Sequence, residues 1–141
     1  MESYKNPDRS TLRSILQETK SIAVVGISNK ENRPSYRVSA YLQQQGYRII
    51  PVNPTIESVL GSPAFGDLGD IEESPDVVCI FRRSEEVLPI VTAALRLKPR
   101  VIWMQDNVVN QEAAQVALEA GIQVVMNDCM LRQHMSLIGV S

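Results

Sequence analysis

The sequence has little of what usually announces a chemistry. Its only cysteines, Cys79 and Cys129, lie far apart and outside CxxC spacing, so neither a zinc knuckle nor a disulfide framework is indicated. There is one histidine, His134, and one tryptophan, Trp103. Positive charge is not in excess: 14 Lys and Arg stand against 16 Asp and Glu, a formal net charge of −2. A general nucleic-acid binder rests on a basic face, so that class is set aside. No apolar run approaches the roughly 18 residues that a membrane helix needs. The polar stretch Met1-Glu2-Ser3-Tyr4-Lys5 has no signal-peptide core, and the expectation is a cytoplasmic protein.

What is present is globular. Hydrophobic residues make up 44% and charged residues 21% of 141, the size of one domain over residues 1–141. Residues 1–9 read as a loosely ordered N-terminal segment. Ser10 then suits the cap of a helix to about residue 19, with Leu12, Ile15 and Leu16 on one face. The run over 21–25 is a short apolar strand ending in Gly26. Ser35 suits the cap of a helix over 36–45, closed by Gly46. A second strand runs over 47–52, where Pro51 demands an end or an unpaired side. The segment 55–74 is irregular, with only Pro63-Ala64-Phe65 fit for a brief edge strand.

Asp76-Val77-Val78-Cys79-Ile80-Phe81 is a third strand, apolar along its length as expected when both faces are covered. A helix pattern follows over 88–98, with Pro89 tolerable in its first turn. Residues 100–104 form a strand, Asn110 caps a helix over 111–120 closed by Gly121, and residues 122–126 form the last strand. From Asn127 a short tail begins. Strands alternating with helices of this length predict an α/β fold: a single doubly wound, mainly parallel, Rossmann-like sheet with helices on both faces.

In such sheets ligands bind beyond the carboxyl ends of the strands, at the point where the winding reverses. The loop after the first strand holds Gly26, Ile27, Ser28, Asn29, Lys30 and Arg33, then Pro34, Ser35 and Tyr36 at a helix start. A glycine turn feeding a helix N-terminus is a recipe for a phosphate cradle. Asn53 and Pro54 follow the second strand, Arg82 and Arg83 the third, and Gln105, Asp106 and Asn107 the fourth. Lys30, Arg33, Arg37, Arg82 and Arg83 on one rim of a slightly acidic protein point to a polyanionic small molecule.

Two features count against a dinucleotide such as NAD. The loop has one glycine where the fingerprint G-x-G-x-x-G wants three. The acidic residue that should meet the ribose is also missing: the second strand ends Ile50-Pro51-Val52-Asn53.

The series Ile22-Ala23-Val24-Val25-Gly26-Ile27-Ser28, Arg33-Pro34-Ser35-Tyr36, Gly46-Tyr47 and Pro51-Val52-Asn53-Pro54 resembles the small stand-alone CoA-binding proteins. Phe81-Arg82-Arg83, Val101-Ile102-Trp103-Met104-Gln105, Ala120-Gly121 and the stretch from Cys129 to His134 continue it. The fold of that family is similar to the N-terminal domain of the succinyl-CoA synthetase alpha subunit. The resemblance implies CoA as ligand, with its nucleotide end over Gly26 to Lys30 and its phosphates at the next helix N-terminus. Asn53-Pro54 and Gln105 to Asn107 then border the rest. One departure stands out. Where the family has Gly after W-L-Q-L, this chain has Asn107, preceded by Asp106, whose carboxylate is unfavourable beside a polyphosphate.

The resemblance implies a CoA or acyl-CoA binding protein without catalytic machinery, regulatory or a carrier. The synthetase's phosphorylated histidine belongs to another domain. Two enzymatic alternatives remain: an NAD(P)-dependent oxidoreductase, or a thiol-dependent acyl-CoA enzyme in which His134 activates Cys129. A homo-oligomer or a partner subunit is open. Cys79, Trp103 and Met104 read as core.

Overall fold

The computed structural model of the chain describes residues 4–139. The chain runs α1 (Arg9–Glu18), β1 (Ser21–Val25), α2 (Pro34–Gln44) and β2 (Arg48–Val52), then the two-residue strands β3 (Ser58–Val59) and β4 (Ser62–Pro63). It continues β5 (Val77–Ile80), α3 (Val87–Ala94), β6 (Val101–Met104), α4 (Gln111–Glu119), β7 (Gln123–Val125) and α5 (Met130–Leu137). Five strands form one parallel sheet in the order β2-β1-β5-β6-β7, while β3 and β4 make a small antiparallel ribbon beside it. This is the doubly wound arrangement, and the winding reverses between β1 and β5.

Alternation along the strands sends neighbouring side chains to opposite faces. Ile22, Val24, Cys79 and Trp103 pack with Leu12, Leu16, Val38, Leu42 and Met130 of α1, α2 and α5. Ala23, Val25, Ile80 and Met104 pack on the other face with Val87, Val91, Ala113 and Ala117 of α3 and α4. Cys79, Trp103 and Met104 are fully buried, as their place in apolar strands predicts.

Several local expectations are corrected. Asp8, not Ser10, caps α1, accepting the Thr11 N–H at 2.9 Å. Residues 4–8 are not loose. Strand β7 is a sheet edge with backbone groups to satisfy; Tyr4 donates its hydroxyl to the Val124 carbonyl at 2.5 Å, and the Asn6 amide exchanges two 2.8 Å bonds with the Met126 backbone. Residues 1–3 lie outside the described residues. Helix α2 starts at Pro34, so Ser35 is inside its first turn and not its cap. The tail contains a helix, α5, packed on α1 and α2 through Met130, His134 and Leu137.

Other expectations hold. Gly46 and Gly121 close α2 and α4 at φ of 102° and 80°, and Asn110 caps α4 by accepting the Ala113 N–H at 2.9 Å. Pro51 sits in the edge strand β2, its carbonyl accepting the Phe65 N–H on the outer side. Its missing N–H therefore costs the sheet no ladder bond.

Candidate functional site

Three clefts follow one another along the carboxyl ends of the strands around the β1/β5 switch point. The first, of about 330 Å³, lies among Gly26, Asn53, Pro54, Leu68, Arg82, Ile90 and Ala93. The second, of about 690 Å³, is bounded by Pro34, Val38, Phe81, Arg82, Gln105, Asn107, Val108 and Cys129. The third, of about 550 Å³, is bounded by Gly26, Ser28, Asn29, Lys30, Arg33, Ser35 and Thr55. The first and third share Gly26 and Asn53, the second and third share Pro34 and Phe81, and the first and second share Arg82. They form one bent trough.

Gly26 is the hinge of that trough. Its φ is 88°, and a Cβ there would lie 2.4 Å from the Phe81 carbonyl oxygen and 2.8 Å from Cδ of Arg82. The loop beyond it is pinned from α2: the Ser28 N–H donates to the Ser35 hydroxyl at 2.9 Å, and the Lys30 N–H to the Ser28 hydroxyl at 3.0 Å. Ser35 thus ties loop to helix. Helix α2 itself starts without a side-chain cap, Arg33 standing at the cap position and Pro34 at the first helical one. Uncapped N–H groups and the positive end of the dipole therefore face the third cleft, beside exposed Lys30 and Arg33. Among the described residues neither cation has a carboxylate partner.

Arg82 and Arg83 differ. Both bond Glu86, Arg82 at 3.0 Å and Arg83 at 3.2 Å, and Arg83 also reaches Glu85 at 3.6 Å. These contacts hold the Glu86 carboxyl below the usual range, through the hydrogen bonds from Arg83 and Arg82. The expected five-cation rim is thus uneven: Arg82 and Arg83 arrive paired with Glu86 and Glu85, and Arg37 is not on a cleft wall. The acidic partners one turn after the arginines were visible in the sequence as i,i+3 and i,i+4 pairs.

Asn53 works inside the scaffold. Its amide donates to the Ile27 carbonyl at 2.8 Å, and its oxygen accepts from the Thr55 N–H and hydroxyl at 2.8 and 2.7 Å. It fastens the loop after β2 to the loop after β1. The Ile27 side chain is fully buried beneath its loop, and Tyr36 packs on the α1/α2/α5 side; neither borders a cleft. Apart from Arg37, the other expected site residues do. Leu68, Ile90, Ala93, Val38 and Val108 join them unexpectedly, apolar walls whose spacing in the sequence is indistinguishable from core.

At the far end Asn107 has φ 68°, the left-handed turn that Asn accepts more readily than most residues, and its N–H donates to Asn127 Oδ1 at 2.7 Å. Asp106 is not a bare charge. Arg132 of α5 grips its carboxylate at 3.0 and 2.9 Å and bonds Asp128 at 2.9 Å. Those bonds keep the Asp106 carboxyl below its ordinary range.

Cys129 and His134 engage different neighbours. Among the described residues no hydrogen bond joins them; His134 is buried, its Nδ1 2.8 Å from the Tyr41 hydroxyl and its ring edge-on to Tyr41 and Tyr47. Burial lowers its basicity. Cys129 lines the second cleft and His134 does not.

A family model described as CoA binding domain matches residues 20–135. The chain belongs to the CoA-binding domain family. Its relatives include the uncharacterized protein YneT of Bacillus subtilis (strain 168), 42% identical over 92% of this chain and 96% of that protein. Among solved structures, a PH1109 protein redesigned for binding superposes with a TM-score of 0.93 at 35% identity, covering 99% of this chain and 98% of its own. A hypothetical protein from Pyrococcus horikoshii OT3 gives 0.91 at 37%, covering 99% and 100%. The family match spans the sheet from β1 to β7 and most of α5, and no described helix is long and apolar enough to cross a membrane.

Proposed function

We propose that this chain binds CoA in the bent trough and carries no chemistry of its own, serving as a carrier or regulatory module. The observation that carries the reading is the uncapped start of α2 beside unpaired Lys30 and Arg33, directly over the Gly26 turn. A pyrophosphate there meets backbone N–H groups, a helix dipole and two cations at once. The apolar first cleft suits the adenine, and the second, reached past Phe81 and Pro34, suits the pantetheine arm. Membership of the CoA-binding domain family supports this ligand. The engagement of His134 by Tyr41, with no hydrogen bond to Cys129 among the described residues, favours a binding role over thiol catalysis. The same absence of three glycines and an acidic ribose partner disfavours NAD.

The test is a thermal shift with CoA, dephospho-CoA, NADH and NADPH side by side. A ligand at 100 times its Kd stabilises by about 2.7 kcal/mol, which is readily resolved. CoA is expected to give the largest shift and dephospho-CoA a smaller one. No response to millimolar CoA alongside a clear response to NADH overturns the reading.

A further inference from the structure

Gln105 is a buried amide whose two partners are both weak. Its residue is only 3% exposed, yet it lines the second cleft. Its oxygen accepts the Met130 N–H at a long 3.4 Å, which fixes the amide's orientation and turns the NH2 group onto Sγ of Cys79 at 2.9 Å. A neutral thiol is a weak acceptor, and the Cys79 thiol stays neutral, since burial pushes it up to about 12. Among the described residues the amide makes these two contacts and no other. A carboxamide removed from water normally has strong partners for both its donors. Here one donor faces a sulfur and the other has no partner among the described residues, at the wall of a cleft of about 690 Å³.

The surroundings define what belongs opposite it. Val38, Phe81 and Val108 make the cleft wall apolar, and Pro34 and Phe81 join it to the phosphate cradle. The charges nearest the mouth are already paired: Arg82 and Arg83 with Glu86, and Asp106 with Arg132. A neutral acceptor on an apolar stem fits this wall, and a free carboxylate finds no unpaired cation there.

The geometry points to Gln105 as the residue that reads the thioester carbonyl of a short, uncharged acyl-CoA, with the acyl chain against Val38, Phe81 and Val108. This rests on the CoA reading above and sharpens it from CoA to acyl-CoA. Gln105 donates an N–H to the carbonyl oxygen; no bond to the thioester is made or broken. It is a specificity residue for binding.

The experiment compares three probes by isothermal titration under reducing conditions: CoA, butyryl-CoA, and S-butyl-CoA, a thioether of equal length that lacks the carbonyl. The wild-type protein is expected to hold butyryl-CoA about five- to tenfold more tightly than S-butyl-CoA, the range of one buried hydrogen bond. Gln105→Met keeps the side chain's length and apolar bulk, and is expected to bring the two probes to parity, the ratio of their affinities being the readout. Equal affinity of wild type for butyryl-CoA and S-butyl-CoA overturns the inference without any variant, and leaves the CoA reading intact. An unchanged ratio of butyryl-CoA to S-butyl-CoA affinity in Gln105→Met also overturns it, because the amide then does not read the carbonyl. Failure of all three probes to bind removes the CoA reading as well.

Discussion

The Phe81 carbonyl oxygen occupies the space that a side chain on Gly26 would need, 2.4 Å from where its Cβ would stand. The two residues directly follow β1 and β5, the strands that flank the winding reversal, and the Phe81 N–H bonds the Val25 carbonyl at 2.9 Å. Neither backbone can retreat without breaking the sheet. Gly26→Ala also forces a side chain onto a φ of 88°. It is expected to cost about 3 kcal/mol of stability and to abolish the thermal shift with CoA, measured by urea denaturation and differential scanning fluorimetry.

The cations on the rim are unequal. Arg33 has no carboxylate partner among the described residues, whereas Arg82 bonds Glu86 through Nε and Nη2, both at 3.0 Å. Arg33→Gln should weaken CoA about tenfold, the value of a charge-assisted bond to phosphate. Arg82→Gln should weaken it about threefold or less, because the pair it leaves is exposed and already screened. Titration calorimetry of the two variants at one ionic strength decides it, and equal losses would sink the distinction.

How far the sequence carries is clear from particular residues. Apolar runs such as Val77–Ile80, β-branched and closed by polar loops, can only be covered parallel strands, so the sheet and the loops at its carboxyl end were legible. Helix α5 was not. Its apolar positions Met130, His134 and Leu137 include a histidine, buried because Tyr41 supplies a partner from another element. Pairing between distant segments hid the rest. Nothing local says that Arg132 neutralises Asp106, or that Asn53 is occupied by Ile27 and Thr55. Arg82, Arg83 and Glu86 were the exception, being one turn apart.

Ser39 on α2 is fully buried, and its hydroxyl is the one buried side-chain polar atom without a partner among the described residues. An unsatisfied hydroxyl costs about 1–3 kcal/mol of desolvation. Alanine also has the higher helix propensity. Ser39→Ala is expected to raise stability by about 1 kcal/mol, seen as a Tm increase of about 4 °C. A fall in Tm would mean that the hydroxyl has an unseen water partner.

His134 gives the protein an acid-sensitive core. Burial lowers its folded-state pKa below the usual value of 6.5, while the unfolded chain retains that value. The unfolded state therefore binds the proton more readily below pH 6.5. Stability from this group is complete above about pH 6.5 and falls as the pH drops from there through the folded-state pKa. As the sole histidine, its ring signals are unambiguous in an NMR titration. A midpoint at or above 6.5 would contradict the burial argument.

Arg132 protects the second cleft from Asp106. Its bonds to Asp106 and Asp128 lie at the surface, with half of the arginine side chain exposed, so Arg132→Ala should cost less than about 1 kcal/mol of stability. Its effect on ligand affinity should be larger, because an unpaired carboxylate then faces the mouth through which an anionic ligand passes. A loss of about three- to fivefold in CoA affinity is expected, shrinking at high salt as exposed charges are screened. The double variant Asp106→Asn, Arg132→Ala removes the offending charge and should recover most of that loss, a coupling that a double-mutant cycle isolates. If the double variant binds no better than Arg132→Ala alone, the arginine acts by holding α5 in place, and the charge on Asp106 is irrelevant to binding.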